Sequence, residues 1–348
     1  MARRRGDTHR LIRWLWTSRR IDARLVRLAL LPLSGLWGAW MRGRRLAFAR
    51  RLLPVRDLPL PAVAVGNLTV GGSGKTPIAM WIARFYAERG LVPGVLLRPY
   101  GGGDEARVHA RALPGAHVIA DADRVSGAER ALARGAQVLV LDDAFQRLDL
   151  RPDLNVLVVS AETSRAVRWL LPAGPWREGW GALERADAVV VTRKRASAEA
   201  ASAMADELRG RVRGPVAIAH LGLTRFEGLL TGRQLGPEAL AGRRVVAASA
   251  IGDPEAFVAQ TKATGAAVQV ATWKDHHDYG QEDVSWLAHA ARRADHVVIT
   301  EKDAVKLRDR WPADAPEPLV AVLDLTWESG GEAIAVALEA VVTPAERL

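Results

Sequence analysis

From residue 58 onward the chain alternates short runs of aliphatic and β-branched residues with alanine-rich stretches of helical period, the rhythm of an α/β protein. Runs at 62–65, 94–97, 118–120, 138–141, 156–159, 188–192, 216–220, 245–248, 268–271, 296–300 and 319–323 are expected as strands. Many carry no polar alternation, as parallel strands covered on both faces do. Helices are expected between them, at 78–89 and 127–134 among others. The stretch 222–236 (GLTRFEGLLTGRQLG) breaks the rhythm and reads as a joint between a larger first lobe and a smaller second one. No internal repeat is found.

The first 56 residues follow another pattern. Segment 11–53 interleaves aliphatic residues and Trp14, Trp16, Trp37, Trp40 and Phe48 with arginines. Its longest uncharged run, Leu28 to Met41, has 14 residues and contains Pro32, short of the roughly 20 apolar residues that a spanning helix needs. The long basic lead-in and the lack of a small-residue cleavage site also argue against a secretory signal. Apolar side chains and cations mixed this way suit an interfacial helix or helical hairpin on an anionic membrane surface. A basic helix packed on its own domain and a nucleic-acid-binding arm are the alternatives.

Charge changes the picture by its location. The net +10 comes from fifteen arginines against Asp7 and Asp22 in residues 1–56, a local +13; the remaining 292 residues sum to −3. A mildly acidic body with a basic N-terminal segment points to an anionic partner for that segment only. With no cysteine in the chain, disulfides, thiolate metal sites and cysteine nucleophiles are excluded.

The string GNLTVGGSGKTP (66–77) follows an expected strand and precedes an expected helix, the setting of a phosphate-binding loop. Its first glycine in the strict pattern would be residue 69, which is Thr69. A non-glycine is tolerable there with ordinary backbone angles, whereas Gly71, Gly72 and Gly74 lie where backbone approaches phosphate. With Ser73, these residues would turn N–H groups on phosphate oxygens; Lys75 would add a point charge and Thr76 would hold Mg²⁺. Farther on, VLVLDD (138–143) has the form of a strand whose terminal acid, Asp142 or Asp143, completes the Mg²⁺ shell. A nucleoside triphosphate with Mg²⁺, ATP or GTP, is the functional expectation.

The loop string resembles that of the tetraacyldisaccharide 4′-kinases of lipid A synthesis, which also carry threonine at this place. The likeness continues in order through Leu97-Arg98-Pro99-Tyr100-Gly101, Gly103-Asp104-Glu105, Asp142-Asp143-Ala144-Phe145-Gln146, residues 171–178 (LPAGPWRE), residues 250–254 (AIGDP), Asp275-His276 and Thr300-Glu301-Lys302-Asp303. Leu97 and Pro99 depart from the family's serine and glycine, Arg147 stands where many members have histidine, and the segment before Asp104 is shortened.

This resemblance implies transfer of the γ-phosphoryl group of ATP to the 4′-hydroxyl of a tetraacyldisaccharide 1-phosphate, a lipid A precursor. It implies Asp104 as proton acceptor paired with His276, Glu178 near the metal, and Arg98, Gln146 and Arg177 near substrate. His277 is expected to be a neighbour only, and Glu301-Lys302-Asp303 structural or hinge-related. The expected fold is α/β: a P-loop NTPase-like, mostly parallel sheet with helices on both faces, a smaller second α/β lobe, and an N-terminal amphipathic helical membrane-docking segment. The divisions fall at 1–56, 57–225 and 226–348. The resemblance places the protein peripherally at the cytoplasmic face of the bacterial inner membrane, with no nucleic-acid partner. A membrane-attached P-loop ATPase or GTPase switch that partitions or delivers a partner is the alternative.

Overall fold

A computed structural model describes residues 12, 14–16, 18, 20–99, 104–163 and 168–343; of Asp104 and Glu105 it describes the backbone only. Each expected strand is present: β1 (Ala62–Asn67), β2 (Pro93–Leu97), β3 (His117–Ala120), β4 (Val138–Leu141), β5 (Leu154–Ser160), β6 (Ala188–Arg193), β7 (Val216–Gly228), β8 (Arg244–Ser249), β9 (Ala267–Thr272), β10 (His296–Thr300) and β11 (Leu319–Ser329). They form one sheet in the order β9-β8-β10-β11-β7-β6-β5-β1-β4-β2-β3, with the short strand Gln234–Leu235 on β7.

The central strands read as unbroken apolar runs because helices cover both faces. Val63, Val65, Val138, Val140, Val156 and Val158 pack against α2 (Lys75–Ala87) and α9 (Gly331–Val342). On the opposite face Ala62, Ala64, Leu139 and Leu141 meet α4 (Arg124–Ala133), and Val189 and Val191 meet α5 (Ala198–Arg209). Between them in the chain lies α3 (Asp104–Ala112); α6 (Pro254–Ala263), α7 (Gln281–Arg293) and α8 (Glu301–Leu307) belong to the second half.

One antiparallel pair decides where the site lies. Neighbours from β3 to β7 are parallel, as are those from β11 to β9, but β7 and β11 run against each other. β7 pairs through Val216–His220 with β6 and continues to Gly228, where Leu319 of β11 begins beside Val298 of β10. The second half is thus displaced along β7 and inverted, so the C-terminal strand ends of the two halves face each other.

The joint expected at 222–236 is in its first part strand: residues 222–228 complete β7. Backbone pairing with β11, accommodated by a register shift at Val322/Leu323, holds this stretch whatever its side-chain pattern. The chain also returns: α9 packs on the first half, with the Tyr86 hydroxyl donating to Leu338 O at 2.9 Å.

Near the N-terminus one helix, α1 (Ile21–Ala49), runs 29 residues through Pro32. Ala23, Ser34 and Gly38 are buried, while Leu25, Leu28, Leu36 and Trp40 are exposed. Among the described residues no helix is long and apolar enough to cross a membrane.

Candidate active site

The loop between β1 and α2 is built around Asn67, a fully buried polar residue ending an apolar strand. Its Nδ2 donates to Thr69 O and Ser73 Oγ, both at 2.7 Å, and its Oδ1 accepts from Lys75 Nζ at 3.3 Å. Thr69 pairs with Trp176 in a single antiparallel bridge, flanked by Val70 N donating to Pro175 O at 2.8 Å and Arg177 N to Leu68 O at 2.7 Å. Thr69 therefore has the ordinary backbone expected, and Gly71 and Gly74 take positive φ of 123° and 88°. At Gly74 a Cβ would also lie 2.4 Å from Leu221 Cδ1, so β7 itself walls the loop. Helix α2 begins at Lys75, directly after the loop, because Gly74 supplies the left-handed turn at its N-cap.

Asp142 and Asp143 follow β4 and point to different partners. Asp142 is buried and accepts from Thr76 Oγ1 at 3.1 Å. Among the described residues its other oxygen, Oδ1, has no hydrogen-bond partner. Burial pushes its carboxyl up, but His109, Lys75 and Thr76 together outweigh this and hold it below the ordinary carboxylate range. Asp143 has φ 55°, a left-handed conformation costly for an aspartate, and lies 3.4 Å from Lys75 Nζ and 3.3 Å from Arg177 Nη1.

His109 was not legible as a site residue. It lies on α3 with its ring fully buried, Nε2 3.4 Å from Asp142 Oδ2, and neither nitrogen has a hydrogen bond among the described residues. Asn67 was likewise missed, although a polar residue closing an unbroken apolar strand is a signal for it. Arg124 on α4 donates to the Asp142 carbonyl at 3.2 Å; burial first, then Arg147 and Arg98, depress its pKa to about 10. Arg98, exposed at the end of β2, thus joins a cationic group around the two aspartates.

Gln146 Nε2 donates to Asn67 O at 2.7 Å and to Glu178 Oε1 at 3.3 Å, and its Oε1 accepts from Arg177 at 3.4 Å. Glu178 is buried and gripped by both terminal nitrogens of Arg185, at 3.0 and 2.9 Å. Arg177, Glu178 and Gln146 are therefore brought together beside Asp143.

Lys194, after β6 of the first half, donates to Gly72 O at 3.2 Å and lies 3.9 Å from Asp253 of the inverted half, the N-cap of α6. His276 sits in the loop after β9 with φ 59°, its N–H donating to Ala250 O at 3.2 Å and its Nε2 3.8 Å from Asp275 Oδ1. His277 is a structural neighbour, 2.8 Å from Asp283. Asp104 opens α3; its side chain, like residues 100–103, lies outside the described residues. α3 packs on α8, whose Lys306 Nζ donates to His277 O at 3.0 Å, so the elements bearing Asp104 and His276 share one neighbourhood. In α8 the buried Asp303 accepts from Tyr279, Thr300 and Ala250 N, which makes it a scaffold of the second half.

The chain is similar to known proteins over most of its length. The family model described as LpxK, Tetraacyldisaccharide-1-P 4′-kinase, matches residues 26–342. The tetraacyldisaccharide 4′-kinase of Aromatoleum aromaticum is 36% identical over 321 residues, covering 87% of this chain and 90% of that protein. That of Geobacter sulfurreducens is 35% identical over 340 residues, covering 87% and 94%. The crystal structure of LpxK from Aquifex aeolicus in complex with ATP superposes with a TM-score of 0.72 at 25% identity, covering 91% of this chain and all of that one. With its loop, aspartates and inverted second half ordered as described, and with a match over most of its length, the chain belongs to the tetraacyldisaccharide-1-P 4′-kinase family.

Proposed function

We propose that this protein binds ATP and Mg²⁺ between its two halves and transfers the γ-phosphoryl group to the 4′-hydroxyl of a tetraacyldisaccharide 1-phosphate, a lipid A precursor. The observation that carries the reading is the network joining Lys75, Thr76, Asp142 and Asp143 at the facing strand ends. A switch ATPase is not favoured by membership of a kinase family.

Backbone N–H groups of residues 69–76 cradle the phosphates, and Lys75 exchanges Asp143 and Asn67 for phosphate oxygens. The buried, unpartnered Oδ1 of Asp142 beside the Thr76 hydroxyl suits a hard divalent cation, which takes a few protein oxygens and completes its shell with phosphate and water. Mg²⁺ would neutralise charge developing on the transferred group. Asp143 and Glu178 form the rest of the acidic wall. Asp104 accepts the hydroxyl proton and His276 tunes it, while Arg98, Arg177 and Gln146 orient the sugar phosphate.

The divisions 1–56, 57–225 and 226–348 remain our functional partition, with β7 and β11 shared between the last two. The outer face of α1, apolar with flanking arginines, meets an anionic membrane surface, and the enzyme acts at the cytoplasmic face of the bacterial inner membrane. A lipid partner accounts for the basic segment without nucleic acid. Incubation with γ-labelled ATP and tetraacyldisaccharide 1-phosphate tests the reading: label enters the organic phase. Release of labelled free phosphate with no labelled lipid would overturn it in favour of the switch.

A further inference from the structure

Helix α1 touches the active-site loops through their backbone carbonyls. Ser34 Oγ donates to Leu170 O at 2.9 Å, Trp37 Nε1 to Arg177 O at 2.8 Å and Arg44 Nη1 to Gln146 O at 3.1 Å, and Arg45 donates to Gly181 O. Residues 34, 37, 44 and 45 lie on one side of a helix, along with the buried Gly38, where a Cβ would come 2.8 Å from Leu170. The contacts are thus a docked face and not a chance touch.

Two of these bonds fall on residues that frame Asp143. The Arg177 backbone is held from both sides: its N–H donates to Leu68 O at the start of the phosphate loop, and its carbonyl accepts from Trp37. Gln146 is held likewise, its carbonyl by Arg44 and its side-chain amide by Asn67 O. From these fixed backbones the Arg177 and Gln146 side chains converge, 3.4 Å apart, with Arg177 3.3 Å from Asp143.

We propose that Trp37 and Arg44 are positioning residues of the phosphoryl-transfer site: from α1 they fix the backbone of Arg177 and Gln146, and through these the side-chain frame around Asp143. The proposal rests on the kinase reading above and adds that α1 is part of the site as well as a surface anchor. An arginine side chain is long, so a small shift of its backbone moves the guanidinium by an ångström or more, which phosphoryl transfer does not tolerate.

The test uses the full chain with Trp37→Phe, which keeps a ring and loses the donor, and Arg44→Met, which keeps the stem and loses the guanidinium. Trp286→Phe, on the far edge of the second half, is the control. Activity is measured on a short-chain, water-soluble acyl disaccharide phosphate, so that surface binding plays no part. For each of the two variants kcat should fall about tenfold, with ATP affinity and sedimentation with anionic liposomes unchanged. In an Arg177→Ala background, Trp37→Phe should cost less than twofold further, since residues acting as a unit are not additive. Amide hydrogen exchange in residues 170–181 should accelerate about tenfold in Trp37→Phe and stay unchanged in Trp286→Phe. Unchanged kcat with unchanged exchange overturns the proposal, as does a full multiplicative loss in the Arg177→Ala background or a loss confined to membrane-embedded acceptor. If the unmodified chain phosphorylates no acyl disaccharide, the kinase reading fails, and the exchange rates still decide whether α1 braces these loops.

Discussion

Thr76 Oγ1 donates a 3.1 Å hydrogen bond to Asp142 Oδ2, joining the first turn of α2 to the end of β4 across 66 positions of sequence. Mg²⁺ bound here would replace that bond on both sides. Thr76→Ala and Asp142→Asn should each lower kcat by about 10²-fold or more, with the loss partly offset at high Mg²⁺ in Thr76→Ala. Lys75→Ala should weaken ATP binding with or without the metal. Titration of ATP with and without Mg²⁺ separates the roles; equal losses in both conditions for all three variants would refute the assignment of Thr76 and Asp142 to the metal.

His109 shares the burial of Asp142 and offsets it. In metal-free buffer, His109→Leu leaves the carboxylate with burial and less compensation, so unfolding free energy should fall by about 1–3 kcal/mol. His109→Gln, which keeps a polar group beside Asp142, should lose less. Urea denaturation reads the difference, and equal loss in both variants would mean that His109 matters for packing alone.

Asp104 and His276 should act as one unit. Asp104→Asn should lower kcat by about 10²–10⁴-fold with ATP affinity nearly unchanged. His276→Ala should cost a similar order, and the double variant far less than the product of the two. Multiplicative losses, measured by steady-state kinetics across pH, would assign the proton to another group, with Asp143 next to test.

The outer face of α1 should govern surface binding without touching the site. Leu28→Asp with Leu36→Asp replaces side chains that are 52% and 68% exposed, so thermal stability should hold. Sedimentation with anionic liposomes should be lost, and turnover of a water-soluble acceptor retained. Binding that survives the double change would put the membrane contact elsewhere.

Glu301 should make stability depend on pH. Burial pushes its carboxyl up from the ordinary 4.5 to about 7, opposed by Arg84 and Arg225 and reinforced by Asp324 and Glu227. Between these values the folded chain keeps a proton that the unfolded chain releases, so stability falls as pH rises from about 4.5 to about 7 and levels off above. Glu301→Gln should flatten that slope and be about 1–3 kcal/mol more stable at pH 8. Urea midpoints at pH 5, 6, 7 and 8 check it; an unchanged slope would remove Glu301 as its origin.

The strands, the phosphate loop and the acids after β4 were legible in the sequence because each depends on local chemistry. A strand covered on both faces must be apolar throughout, as 138–141 is, and a loop that presses backbone against phosphate must be rich in glycine, as 71–74 is. Thr69 could be accepted from its position alone. What the tertiary structure decided lies in contacts between distant segments. His109 sits in RVHARA, where nothing in the residues points to a buried partner before α3 closes on Asp142. The direction of β11 against β7 leaves no mark in either strand's composition, since backbone hydrogen bonds serve both orientations, yet it turns the second half to face the phosphate loop. The arginines of α1 read alike along the sequence. Only packing separates Arg44, bonded to Gln146, from those left to solvent, because which side of a helix finds a partner is settled by the surface it meets.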